Sequence, residues 1–118
     1  MTSEQLPPSI QQQVARLQQL QQTLNVMIAE RQRLQAELEE INQALEELGK
    51  SGDDVVVYKA VGPILVQVPK ERIVSELSEK RDLNDMRLKV LEKQEARTRS
   101  QIEELQKELQ NMLSQRRA

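Results

Sequence analysis

The chain has 118 residues with no Cys, His, Trp or Phe and a single aromatic, Tyr58, so it lacks the residue types around which most compact single cores are built. Without Cys or His there are no disulfides, thiolate metal sites or thiol nucleophiles, and no familiar set of base, nucleophile and orienter. We therefore expect a non-enzyme with no catalytic residue, metal or cofactor. Seventeen basic residues against nineteen acidic ones give a net charge of −2, no run of five like charges exists to grip nucleic acid or an anionic membrane, and no apolar run is long enough for a membrane span or a signal-peptide core. A cytoplasmic protein is expected.

Gln occurs 17 times and Leu 16 times, while Pro and Gly total seven, a composition that favours long uninterrupted helices. The first predicted element is a helix over 9–48. Read in heptads, Ile10, Leu17, Leu24, Arg31, Leu38 and Leu45 occupy one seam position, and Gln13, Leu20, Met27, Leu34, Ile41 and Leu48 the other. Ten of these twelve are apolar, and a 3.5-residue repeat held over six heptads is the mark of a coiled coil. Pro7, Pro8 and Ser9 signal its start, with Ser9 and Gln12 spaced as a capping box, and Gly49 signals its stop.

Residues 53–68 change character. Val55 to Ala60 and Ile64 to Val68 are β-branched runs around Val61-Gly62-Pro63, which predicts a β-hairpin. Its alternation puts Val55, Val57, Ile64, Val66 and Val68 on one face and Val56, Tyr58 and Leu65 on the other, so both faces are apolar. An isolated hairpin is marginal in water and uncovered apolar edges aggregate, so other subunits must pair with it in a shared sheet or barrel. The candidate assembly residues are Val55, Val57, Tyr58, Val61, Gly62, Ile64, Leu65, Val66 and Val68.

A second helix is predicted over 69–116, with Pro69 suited to its first turn. Its seam carries Val74, Arg81, Leu88, Glu95, Ile102 and Leu109, and Leu77, Asn84, Leu91, Thr98, Leu105 and Met112, interrupted in the middle by Arg81, Asn84, Glu95 and Thr98. At about 1.5 Å per residue the two helices would be roughly 60 and 70 Å long, which suggests an antiparallel coiled coil folded back on itself. Residues 1–50 carry four basic and seven acidic side chains and residues 70–118 twelve and ten, a modest complementarity, and counting back from the loop brings Arg31 within a turn of Glu92. On the outer face of this helix, Leu83, Met86 and Val90 are spaced to meet a neighbouring subunit.

Two features mark the end where both termini meet. Only Arg16 is charged between Gln5 and Ala29, and frayed helix ends would expose Leu, Ile, Val and Met beside neutral amides, a surface that adapts to many apolar shapes. The candidate residues of that surface are Ile10, Val14, Leu17, Leu105, Leu109, Met112 and Leu113, followed by a basic end at Arg116 and Arg117. Other chemistry is absent. Gly49-Lys50-Ser51 would end a phosphate loop only with Gly at position 44, which is Ala44, and the Asp53-Asp54 pair reads as a solvated turn.

The order of parts and the stretch Val57-Tyr58-Lys59-Ala60-Val61-Gly62-Pro63-Ile64-Leu65-Val66, followed by Glu71 and Glu76-Leu77, resembles the beta-class subunits of prefoldin. The resemblance covers essentially the whole chain, and Tyr-Lys-x-Val-Gly-x-x-Leu-Val from Tyr58 to Val66 is its most specific element. It implies a mostly α fold, an antiparallel two-helix coiled coil whose central β-hairpin joins an inter-subunit β-barrel. It further implies a hexamer of two alpha and four beta subunits, and an ATP-independent holdase whose arm tips clasp non-native polypeptides and pass them to a group II chaperonin. The competing expectations are a coiled-coil scaffold or spacer of another complex, which needs neither a low-charge tip nor an apolar hairpin, and a polymerase-inserting factor, which usually carries a separate globular domain.

Overall fold

The computed structural model describes residues 6–117, with residue 117 described by its backbone. Two long helices flank a two-stranded sheet in sequence: α1 Pro8–Lys50, β1 Val57–Val61, β2 Ile64–Val68 and α2 Lys70–Arg117. They distribute over two compact units, a hairpin unit of Gln32–Val90 and a terminal unit of Met1–Arg31 with Leu91–Ala118.

The helix starts are set by proline. The Pro7 carbonyl accepts the Ile10 and Gln11 amides at 3.0 Å each, so Pro7 is the capping residue and Pro8, its φ already helical, opens α1. Ser9 is thus inside the first turn, and the capping box expected of it does not set the start. Pro69 does the same for α2, its carbonyl accepting from Arg72 at 3.1 Å and Ile73 at 3.4 Å.

Gly49 does not stop α1, which runs to Lys50. Among the described residues only Gly62 has positive φ, so Gly49 does not adopt the left-handed cap conformation. The last turn is closed instead by Ser51, whose hydroxyl donates to the Glu47 carbonyl at 2.8 Å, while Lys70 Nζ donates to the Ser51 carbonyl at 2.8 Å. A cation at a helix C-terminus also meets the negative end of the helix dipole.

In the hairpin unit the two helical segments run antiparallel with Leu34 and Ile41 buried, and Leu38, Leu45, Leu48, Val74, Leu77 and Leu88 half-buried beside them. The seam positions predicted to interrupt this stripe are inside it. Asn84 is 2% exposed with its Nδ2 lacking a partner in hydrogen-bond geometry, near Glu37, which Lys80 holds at 3.0 Å. That ammonium first, and the Asn84 amide next, keep the Glu37 carboxyl below its ordinary range.

In the terminal unit the helical segments are again antiparallel. Leu24, Ile102, Leu105, Leu109 and Ile10 form the buried side, each under 9% exposed. Arg31 pairs with Glu95, within one turn of Glu92 as counting from the loop expects, its Nε 2.8 Å from Oε2, and Arg99 reaches the other carboxylate oxygen at 3.3 Å. Arg31 foremost holds the Glu95 carboxyl below its ordinary range. One turn further, the Thr98 hydroxyl donates to Met27 Sδ at 3.6 Å.

Candidate functional site

The hairpin is built on a two-residue turn. Val61 pairs with Ile64, leaving Gly62 and Pro63 as the loop. Gly62 has φ +55° and no other described residue has positive φ, so the turn is of the II′ kind, whose twist matches that of paired strands. Nothing crowds Gly62, so the requirement for glycine is conformational, not steric.

The register Val57↔Val68, Tyr58↔Gln67, Lys59↔Val66, Ala60↔Leu65, Val61↔Ile64 sorts the side chains. Directly opposed residues share a face. One face holds Val57, Lys59, Val61, Ile64, Val66 and Val68, and the other Tyr58, Ala60, Leu65 and Gln67. The first face is anchored at its base: Val68 is buried, Val57 half-buried, and Lys59 Nζ lies 2.9 Å from Glu76 on α2, which Arg72 also holds at 3.2 Å. Lys59 foremost, with Arg72, keeps the Glu76 carboxyl below its ordinary range.

Away from that base the hairpin is open. Leu65 is 71% exposed, Tyr58 and Ile64 57% each, and Val61, Val66, Val55 and Val56 are exposed as well. The sheet has two strands only, so among the described residues each strand keeps an outer edge of unpaired backbone groups. Apolar faces and free edges together are a surface for adding strands.

The terminal unit is arranged in the opposite sense. Ile10, Leu105 and Leu109 are buried in one cluster with Val14, Leu17, Leu20 and Met112 half-buried against it. Among the described residues of this unit, Leu6 and Leu113 near the helix ends and Val26 on α1 are the exposed large aliphatics. The open flank of α1 beside this cluster is a shallow groove lined by Gln12, Gln13, Arg16, Gln19, Leu20 and Thr23, a wall of amides with one charge.

With that geometry in hand, the sequence relationships are decisive. A family profile described as "Prefoldin subunit" matches residues 11–116. The prefoldin subunit beta of Archaeoglobus fulgidus is 49% identical over 109 residues, covering 92% of this chain and 94% of that protein. That of Methanothrix thermoacetophila is 43% identical over 113 residues, covering 96% and 94%. The chain belongs to the prefoldin subunit family. The crystal structure of the prefoldin beta subunit from Thermococcus strain KS-1 superposes with a TM-score of 0.84 at 36% identity, covering 94% of this chain and 97% of that one. The beta-class resemblance carried by Tyr58 to Val66 is thereby borne out, as is the expectation of two long helices around a single hairpin.

For this prefoldin chain the structure divides the candidate residues. Of the assembly set, Val55, Tyr58, Val61, Ile64, Leu65 and Val66 are exposed on the hairpin unit, while Val57 is half-buried and Val68 buried. The client set gathers into the terminal cluster, with Leu113 at its exposed margin. Residues that the sequence pattern passes over are Lys59, whose pair with Glu76 ties sheet to helix, and Leu6, whose carbonyl accepts from the Gln11 side-chain Nε2 at 2.7 Å. Of the basic end, Arg116 is exposed and the side chain of Arg117 lies outside the described residues. Among the described residues no three carboxylates gather to hold a metal, and no helix is long and apolar enough to cross a membrane.

Proposed function

We propose that this chain is the beta-type subunit of a cytoplasmic, ATP-independent holdase. Its hairpin joins those of an alpha-class partner and other beta copies in a hexamer of two alpha and four beta chains with a shared β-barrel platform. The terminal helix pair takes up non-native polypeptides through Ile10, Val14, Leu17, Leu105, Leu109, Met112 and Leu113, and the complex hands them to a group II chaperonin. The chain does no catalysis and needs no cofactor.

The observation that carries the reading is the hairpin: Leu65, Tyr58 and Ile64 are each more than half exposed on a sheet with two open edges. A spacer coiled coil has no use for such a surface, and relatives named as prefoldin beta subunits share nearly the whole chain. Three scattered glycines and no histidine support the absence of nucleotide chemistry.

The test is native mass, measured for the purified chain alone and mixed with an alpha-class prefoldin subunit, followed by suppression of aggregation of a denatured client with and without ATP. A shift to a hexamer on mixing, with nucleotide-independent suppression, is expected. A monomer in both conditions sinks the assembly reading, and a strict ATP requirement sinks the holdase mechanism.

A further inference from the structure

The apolar seam of the terminal unit is broken by one layer of unlike chemistry. Toward the chain ends, Leu24 and Ile102 are 4% and 6% exposed, and beyond them lies the cluster of Ile10, Leu105 and Leu109. At the layer itself, the four seam positions are Met27, Arg31, Glu95 and Thr98, only one of which is aliphatic. Glu95 and Thr98 are each 6% exposed, while Met27 and Arg31 are half-buried, the Arg31 side chain at 25%, so the α2 side of the layer is dry and its α1 side meets solvent. Both Glu95 oxygens are engaged, by Arg31 at 2.8 Å and Arg99 at 3.3 Å, and Thr98 spends its hydroxyl on a thioether.

An ion pair with a buried carboxylate and partly exposed cations holds its partners in one arrangement but returns little net free energy, because desolvation of the carboxylate and screening of the cations offset the Coulombic attraction. Apolar layers return much more when they close. A seam of this composition therefore has strongly stabilised layers toward the chain ends, then a weakly contributing one, and the cooperativity that a continuous apolar seam transmits is interrupted there.

We propose that the Met27–Arg31/Glu95–Thr98 layer makes the terminal cluster a separate opening unit, so that Ile10, Val14, Leu17, Leu105 and Leu109 are exposed together by one local transition. This rests on the reading of that cluster as the client surface, and explains how residues buried to a few per cent can serve it. The ion pair supplies what apolar contacts between near-identical heptads lack, a unique register for reclosing. A one-heptad slip in one direction sets Arg31 against Ile102, and in the other sets Glu95 against Leu24, leaving a charge buried without its counter-ion.

Hydrogen exchange of the full-length chain tests this without reference to any client. Amides of 10–24 and 102–112 should share one opening free energy, with a common denaturant dependence, below that of the hairpin unit's helices. The double variant Arg31→Leu with Glu95→Leu should restore a continuous apolar seam and raise protection of both segments about tenfold or more, and Thr98→Leu should move it the same way by less. Graded protection that declines residue by residue toward the ends, or protection within twofold of wild type in a folded variant, overturns the proposal. The wild-type profile decides the matter even where a variant fails to fold. Client capture is read separately: slower capture by the double variant links opening to binding, whereas a shared opening transition with unchanged capture leaves the device standing and removes the cluster as the client surface.

Discussion

The hairpin unit and the terminal unit are built from the same two helices and the same heptad rule, yet they treat apolar side chains in opposite ways. The terminal unit gathers them near the helix ends, where Ile10, Leu105 and Leu109 are at most 7% exposed in one cluster, with Val26 on α1, at 70%, the exception. The hairpin unit displays them, with Leu65 at 71% and Met86 on α2 at 67%. The difference teaches that burial within one chain is not the measure of a residue's importance. A core closes where the chain can satisfy it alone, and an apolar surface stays open where another chain is required to finish it.

The comparison breaks most sharply at the hairpin. Replacing Val57 and Val66 with Asp should abolish assembly, because carboxylates would have to be buried in any shared sheet, while helix content by circular dichroism stays near wild type. An unchanged native mass would show that the sheet is not the interface.

The next largest effect belongs to the terminal unit. Ile10→Ala should cost about 2–4 kcal/mol of local stability through lost burial and the cavity left behind, read as faster amide exchange in the first and last turns. The matching change Leu65→Ala should move the stability of the unassembled chain by less than about 0.5 kcal/mol, since its side chain is mostly in water already. Equal losses at the two positions would erase the distinction between the units.

Gly62→Ala lies between these, at roughly 1–2 kcal/mol, because an L side chain at φ +55° is strained even with open space around it. Chemical denaturation of the assembled protein is the measurement.

The smallest effect is that of pH. Glu37, Glu76 and Glu95 have folded carboxyl pKa values below the ordinary 4.5. Their contribution to stability is therefore fully present above the unfolded value and is lost as pH falls through the lower folded ones. Both units should weaken on acidification below about pH 4.5. Lys80→Met should blunt that loss in the hairpin unit and leave the terminal unit's acid response unchanged; an equal change in both would separate the response from these pairs.

Much of this architecture is legible in the chain itself. All twenty-four seam positions assigned from the heptads are buried or half-buried, including the polar ones, because the spacing of side chains decides which face turns inward. Strand alternation likewise separates Val57, Ile64, Val66 and Val68 from Tyr58 and Leu65 as the register does, whereas Val55 and Val56 precede the first strand. What could not be read was local detail that depends on third parties. Gly49 looks like a stop until Ser51 and Lys70 are seen closing the helix end. Counting from the loop places Arg31 within a turn of Glu92, as observed, but does not single out Glu95 as the carboxylate it meets. The degree of exposure at Ile10 or Leu109 is also invisible in a pattern that marks only orientation, and the Lys59–Glu76 pair depends on how the sheet leans on α2.

Tyr58, the chain's only aromatic residue, is 57% exposed on the hairpin face it shares with Leu65. With no Trp or Phe elsewhere, every near-ultraviolet signal of the protein originates on that one sheet face, and the helices are optically silent in this range. Tyrosine emission and quenching by iodide thus act as a built-in, label-free gauge of whether the sheet is covered, reading docking at the hairpin with no contribution from the cluster where Ile10 and Leu109 reside.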